Sequence, residues 1–308
     1  MKSSSTFISK HGGELMISVK GLTKTYKNGK GIFDLTFSVN EGEVFGYLGP
    51  NGSGKTTTIR QLMGFTNADK GTCTINGMDT RTQAKEIQKS LGYLPGEIAF
   101  FDEMSGTQFL QFMNDMRGVK DNTRKKQLIE RFDLETDRKI RKMSKGMKQK
   151  AGLIAAFMHD PCVYILDEPT SGLDPLMQKT FIELILEERS RGKTVLMSSH
   201  SFEEIERTSD RAGVIREGKL VAVEDVHSLK ASQRKAFLVT VASPADVDRL
   251  KVSELEIGKI TGNQVEVYIS SEYDRFIGVL ADCHVKGLDV ISQSLEQVFM
   301  KYYGQEVQ

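Results

Sequence analysis

Gly49-Pro50-Asn51-Gly52-Ser53-Gly54-Lys55-Thr56-Thr57 fits the pattern G-x-x-x-x-G-K-[ST] at every fixed position. A polyphosphate is dense in negative charge, so a receptor for it needs many donors at short range. Glycines let the backbone curl with its N–H groups turned inward. A helix starting near Gly54 adds open N–H groups and the positive end of its dipole. Lys55 can reach the β- and γ-phosphates, and the Thr56 hydroxyl can ligate Mg²⁺. The flanks agree: Glu43-Val44-Phe45-Gly46-Tyr47-Leu48 reads as a strand before the loop, and Thr57 to Met63 as a helix after it. A strand, a phosphate loop and a helix in that order predict an α/β domain with a parallel core sheet.

A second stretch supplies the chemistry that such a loop lacks. Val163-Tyr164-Ile165-Leu166 is a short apolar run that ends in Asp167-Glu168-Pro169. Acids at the C-terminal end of a buried parallel strand stand where α/β sheets bind ligands. Asp167 can hold Mg²⁺ through water, and Glu168 can orient and deprotonate an attacking water. Thr194-Val195-Leu196-Met197-Ser198-Ser199-His200 repeats the layout of a strand ending in polar residues, which makes His200 a candidate contact for the γ-phosphate. Tyr26 follows the first strand and precedes the turn-rich Lys27-Asn28-Gly29-Lys30-Gly31. It is a candidate stacking platform for an adenine ring, or equally a strand-end tyrosine that covers the sheet.

Composition narrows the class. The chain has 308 residues, 39% hydrophobic and 27% charged, with 42 Lys and Arg against 41 Asp and Glu. That balance argues against a surface built to coat nucleic acid. No apolar run approaches the ~20 residues that span a bilayer. Cys73, Cys162 and Cys283 form no Cys-x-x-Cys pair, suit a reducing cytosol and suggest no metal centre.

Residues 1–15 are polar and Ser-rich, and are expected to be a disordered extension. Gly12-Gly13-Glu14 precedes Met16, where the first strand begins, and Met16 is the expected native start. Met16 to Lys20 and Ile32 to Val39 read as strands of an antiparallel β subdomain. After the phosphate loop come a strand (Thr72 to Asn76), a helix (Arg81 to Ser90) and the strand-like Leu91 to Leu94. Helices within Phe100 to Arg117, Asn122 to Phe132 and Lys145 to Met158 form a helical subdomain over about 97–160. Its Phe109, Phe112, Met113 and Met116 have helical spacing and are expected to be core rather than a docking surface. The nucleotide domain is expected to span 16–230. A second module, 236–308, shows the succession β-α-β-β-α-β, the ferredoxin-like arrangement, with Asn263 at the turn between its middle strands and a last amphipathic helix over Leu295 to Tyr303. It carries no catalytic constellation, which suggests regulation or assembly.

With these motifs in this order, residues 17–230 resemble an ATP-binding cassette (ABC) ATPase, the nucleotide-binding subunit of a transporter. Met143-Ser144-Lys145-Gly146-Met147 sits where that family has its Leu-Ser-Gly-Gly-Gln signature. Val163 to Glu168 resembles the Walker B strand and catalytic glutamate, Ser171-Gly172-Leu173-Asp174 the D-loop, and His200 the switch histidine. Tyr26 stands at the position of the adenine-stacking aromatic. The resemblance implies ATP and Mg²⁺, and contact of Ser144, Lys145, Gly146, Met147 and Asp174 with nucleotide. It further implies a head-to-tail dimer with itself or a second cassette, a separate membrane permease, and a place on the inner face of the cell membrane. Lys145 and Met147, in place of Gly and Gln, resemble the branch that drives bacterial drug, antibiotic and bacteriocin exporters, as does the ending Ser294 to Phe299. A soluble ABC ATPase of translation or DNA repair fits less well, because two cassettes, long coiled-coil insertions and zinc cysteines are lacking. A nucleotide-dependent regulatory switch is the other alternative.

One departure keeps that alternative in view. After Tyr93-Leu94-Pro95 the family has a glutamine that meets Mg²⁺ and water; this chain has Gly96 and Glu97. Pro95-Gly96 suits a type II turn with positive φ at the glycine. In the functional reading the turn lets Glu97 swing toward the metal, and without nucleotide the loop is expected to lie away from Lys55 and Asp167.

Overall fold

The computed structural model describes residues 15–231, 235–269 and 273–292. The chain opens with β1 (Leu15–Thr25), β2 (Gly31–Asn40) and β3 (Val44–Leu48), and the phosphate-loop stretch leads from β3 into α1 (Lys55–Leu62). There follow β4 (Lys70–Ile75), β5 (Met78–Asp79), α2 (Ala84–Ser90) and β6 (Leu91–Leu94), then the helical stretch α3 (Gly106–Arg117), α4 (Thr123–Arg131) and α5 (Lys145–Phe157). The first unit closes with β7 (Val163–Asp167), α6 (Pro175–Ser190), β8 (Thr194–Ser199), α7 (Phe202–Thr208), β9 (Arg211–Arg216) and β10 (Lys219–Asp225). The chain divides into two compact units after Val226, within α8 (Val226–Ala231).

The central sheet runs β10-β9-β3-β8-β7-β6. Its neighbours from β9 to β6 are parallel, and β10 closes one edge antiparallel. β3, β7 and β8 are buried along their whole length, as strands covered on both faces must be. This is why their sequences are apolar runs without alternation. The loops that carry the phosphate-loop stretch, Asp167 with Glu168, and His200 leave the C-terminal ends of these parallel strands.

The second sheet, β2-β1-β4-β5, is antiparallel. It packs on the central sheet through the ring of Phe37, stacked 5.4 Å from both Phe45 and Tyr47. Its first strand includes Leu15, paired with Asn40; the expected disordered extension therefore stops short of Leu15, and residues 1–14 lie outside the described residues. α2 starts at Ala84 rather than Arg81. The Asp79 carboxylate accepts hydrogen bonds from the N–H groups of Arg81 and Thr82, an alternative to helix for those residues.

In the helical stretch, Ser105 and Gln108 form a capping box that fixes the start of α3. The face of α3 turned inward is Phe109, Leu110 and Asn114. Phe112 and Met113 are half-buried and Met116 is 70% exposed, so the Phe/Met stripe is core at one end only. A buried ionic junction ties α4 to α6: Glu188, 0% exposed, accepts hydrogen bonds from Arg124, Arg191 and the Tyr164 hydroxyl.

The second unit contains β11 (Lys235–Val241), α9 (Pro244–Val252), β12 (Glu256–Thr261), β13 (Gln264–Ile269), α10 (Tyr273–Ala281) and β14 (Val285–Ser292). Its antiparallel sheet has the order β12-β13-β11-β14. Val239, Val241, Leu250, Val265, Val267 and Phe276 form its core, with Ser243 capping α9 and Pro244 in its first turn. Asn263 does lie in the turn between β12 and β13, beside Gly262 at φ 60°. The expected helix over Leu295 to Tyr303 lies outside the described residues.

Candidate functional site

The stretch from Gly49 to Thr57 leaves the end of β3 and turns into α1. Gly54 stands at φ 114° as the residue before the helix, a conformation closed to L side chains, which is why glycine occupies the position. No side chain caps α1. Its open N-terminus and the loop amides therefore form a donor-lined surface with an anion's requirements. Pro50, Asn51, Gly52 and Thr56 are not buried, whereas Ser53 and Lys55 are.

Lys55 is 5% exposed, and its ammonium group is fully engaged. Nζ donates to the carbonyls of Gly49 at 2.5 Å and Pro50 at 3.2 Å, and lies 3.0 Å from Oε1 of Glu168. Glu168 in turn meets Nδ1 of His200 at 2.6 Å through Oε2. The structure thus brings together Lys55, Glu168 and His200, from three strand ends. Glu168 holds φ 51°, an uncommon backbone for a residue with a β-carbon, held by its surroundings at a functional position. Its N–H donates to Ser198 Oγ, and the Gln149 amide donates to the carbonyls of Glu168 and Pro169.

Asp167, next to it, is 1% exposed. Oδ1 accepts from Ser198 Oγ at 2.5 Å, but Oδ2 is buried without a hydrogen-bond partner. A buried carboxylate oxygen left unpaired is costly, and it points to a ligand such as a hydrated cation. Tyr93 registers that charge: its phenol is pushed up to about 12, by burial first and by Asp167 second.

Gly96 corrects two expectations. It is absent from the residues with positive φ, so Pro95-Gly96 is not a type II turn. Nor does the loop lie away from Asp167: a β-carbon at Gly96 would stand 3.0 Å from Oδ2. Glycine is present for room, not for an unusual backbone. Glu97 is exposed, and among the described residues no three His, Cys, Asp or Glu side chains cluster to hold a metal.

The remaining expected residues lie elsewhere. Tyr26 stands 38% exposed just past β1. Ser144 caps α5 by accepting from the N–H of Met147, whose sulfur meets an Arg138 guanidinium. The stem of Lys145 passes over Gly172, and Gly146 backs onto the Gly172 carbonyl. Asp174 is exposed and caps α6 through the N–H of Met177.

Three residues near the site escaped the sequence reading. Ser198 bonds both Asp167 and Glu168; a polar residue inside an apolar strand was its only signal. Gln149 lies on the buried side of α5, where a polar side chain among Ala, Leu and Ile was a comparable hint. Glu204, in α7, is 6% exposed and bonded to Ser199; nothing local distinguishes it from Glu203.

Comparison with known proteins agrees with this geometry. Residues 32–171 match the family model described as ABC transporter. The chain is 33% identical over 300 residues to YhcH, an uncharacterized ABC transporter ATP-binding protein of Bacillus subtilis, covering 94% of this chain and 96% of the relative. It is 30% identical over 312 residues to the linearmycin resistance ATP-binding protein LnrL of Bacillus subtilis, with 94% and 98% covered. Among solved structures, a dimeric post-hydrolysis ATP-binding cassette bound to ADP and Pi superimposes with a TM-score of 0.61 at 20% identity, over 68% of this chain and 99% of that one.

Proposed function

This chain belongs to the ABC transporter family as an ATP-binding subunit, and from that premise we propose how its residues drive export. As a member it is an ATP hydrolase that powers transport through a membrane partner. Gly49 to Thr57 wrap the phosphates with backbone N–H groups, Lys55 neutralises the β- and γ-phosphates, and Tyr26 stacks on adenine. Thr56 would hold Mg²⁺ directly and Asp167 would hold it through water, oxygen donors of the kind this ion takes. The unpartnered Oδ2 of Asp167 supports that role. When bound, Mg²⁺ supplies charge neutralisation between the phosphates. Glu97, on the loop beside Gly96, is a further acid within the same chain segment for that ion's outer shell.

Glu168 is the general base. Lys55 and His200 hold its carboxylate, and phosphate binding draws Lys55 away. The carboxylate then accepts a proton from water, with His200 orienting it and reaching the γ-phosphate. Ser144, Lys145, Gly146, Met147 and Asp174 complete the site of a second cassette in a head-to-tail dimer. The capped end of α5, held against the segment after β7, supports that assignment. Among the described residues no helix is long and apolar enough to cross a membrane. Docking to a permease at the inner membrane face supplies the path, and likeness to a resistance protein favours export. The 236–308 module, with the strand order of a ferredoxin-like sheet, serves regulation or assembly.

The observation that carries this reading is the meeting of Lys55, Asp167, Glu168 and His200 at the ends of β3, β7 and β8. Steady-state hydrolysis of MgATP by the purified chain, and its recovery with membranes in cells that express it, test the proposal. Failure to bind ATP overturns it.

A further inference from the structure

Glu204 is a carboxylate in the first turn of α7, beside the site yet outside the roles assigned above. It is 6% exposed. Oε2 accepts from Ser199 Oγ at 2.5 Å, while Oε1 is buried without a well-formed hydrogen bond. Burying an acid this deeply is unfavourable, and an apolar side chain would pack the position at less cost. What the carboxylate does there is hold a turn. Ser199 Oγ also accepts from the N–H of Ser201 at 2.9 Å, and the Ser199 carbonyl accepts from the N–H of Gly49 at 3.2 Å. The N–H of Glu204 donates to Ser201 Oγ at 3.3 Å, and Thr208 Oγ1 donates to the Glu204 carbonyl at 2.7 Å. His200 is the middle residue of this turn. On one side the turn is tied to the phosphate loop, and on the other to Glu204. Thr170, two residues beyond Glu168, acts on the same carboxylate from the segment after β7.

We propose that Glu204 is a positioning residue for ATP hydrolysis, its carboxylate fastening the turn that carries His200 and so the contact of His200 with Glu168. The inference rests on the ATPase reading of this site. The ionisable groups that face Glu204 are Glu168 and His200. Its carboxyl is pushed up to about 7, by burial above all and less by Glu168, against the pull of hydrogen bonds from Ser199 and Thr170 and of His200. Its charge therefore changes in the neutral range, in view of both groups. The ionised form accepts the Ser199 hydroxyl and draws His200 into place; the protonated form holds the turn less firmly.

The test is kcat and KM for MgATP from pH 6 to 8.5 on the full-length chain, with nucleotide affinity measured separately. The wild type is expected to show an ionisation in kcat near pH 7. Glu204→Gln keeps the shape and an acceptor for Ser199 but cannot ionise. It should lose that inflection and lower kcat on the order of 10-fold, with KM and ATP affinity unchanged, as misplacement of a reacting group does. Ser199→Ala removes a bond that holds the carboxyl down, so the inflection should move to higher pH. A Glu204→Gln profile that superimposes on the wild type, or a loss that falls on ATP affinity alone, overturns the inference. If Glu204→Gln does not fold, an unshifted inflection in Ser199→Ala overturns it instead. A wild type without hydrolysis overturns the ATPase reading, and this inference with it.

Discussion

Gly96 faces the Asp167 carboxylate so closely that a β-carbon on it would stand 3.0 Å from Oδ2 and 3.3 Å from Cγ. Oδ2 is the oxygen left without a protein partner, so the absent side chain leaves that oxygen its space. Gly96→Ala is expected to crowd it, and Gly96→Gln to crowd it more. Both should raise the Mg²⁺ concentration needed for half-maximal hydrolysis, with turnover of Gly96→Gln falling on the order of 10-fold. A Mg²⁺ titration of ATPase rate checks this; wild-type Mg²⁺ dependence in Gly96→Gln would mean that the loop yields without consequence.

Glu168→Gln keeps the phosphate donors and Asp167 but removes the proton acceptor. Hydrolysis should fall by about 10²–10⁴-fold while ATP still binds, and the variant should accumulate with ATP bound. Single-turnover hydrolysis beside a fluorescent-nucleotide titration separates the two effects. Turnover near the wild type would rule Glu168 out as the base.

Lys55→Ala should act on the other quantity, ATP affinity. The substitution removes the cation from the loop and leaves Glu168 in contact with the His200 imidazole. The same titration should show weakened binding; unchanged affinity contradicts the role given to Lys55.

Two buried groups give stability opposite slopes with pH. Glu204 is raised from 4.5 to about 7 in the fold. It stabilises the folded state fully below pH 4.5, and that contribution is lost as pH rises to about 7. His159 is lowered from 6.5 to about 4, chiefly by burial and then by Arg117. Its contribution is present above pH 6.5 and lost as pH falls toward 4. Denaturant unfolding of Glu204→Gln should therefore lose a decline between pH 4.5 and 7, and His159→Gln should lose a decline toward acid. If either variant keeps the wild-type slope, the corresponding group is not its source.

Glu188 of α6 lies between Arg124 of α4 and Arg191, the residue that follows α6, with no exposure. Glu188→Ala takes a buried carboxylate from the Tyr164 hydroxyl and from both guanidinium groups, which keep Asp160 and, for Arg124, the Phe157 carbonyl. A loss near the lower end of about 3–5 kcal/mol is expected, because Arg124 is partly exposed. Urea unfolding measures it, and a change under 1 kcal/mol would show that water replaces the carboxylate without cost.

The phosphate loop, the acid pair after the apolar run and the strand-to-helix order were legible because each is a local matter. A loop of consecutive amides, a helix start at Gly54 and a buried strand from Val163 to Asp167 depend on residues adjacent in the chain. The capping of α5 by Ser144 and of α6 by Asp174 is as local, each tying residues three apart. What the tertiary structure decided is which distant residues meet. The parallel register of β7 and β8 pairs Asp167 with Ser198, which sets the Ser198 hydroxyl on the carboxylate. The same two strand ends bring Glu168 to His200, and the turn of the phosphate loop brings Lys55 to Glu168. Pro95-Gly96 misled for the complementary reason: turn chemistry read from two adjacent residues could not see the Asp167 carboxylate packed against the loop. Local sequence determines backbone shape and hydrogen bonds within a few residues; sheet register and packing determine which buried charges share a space.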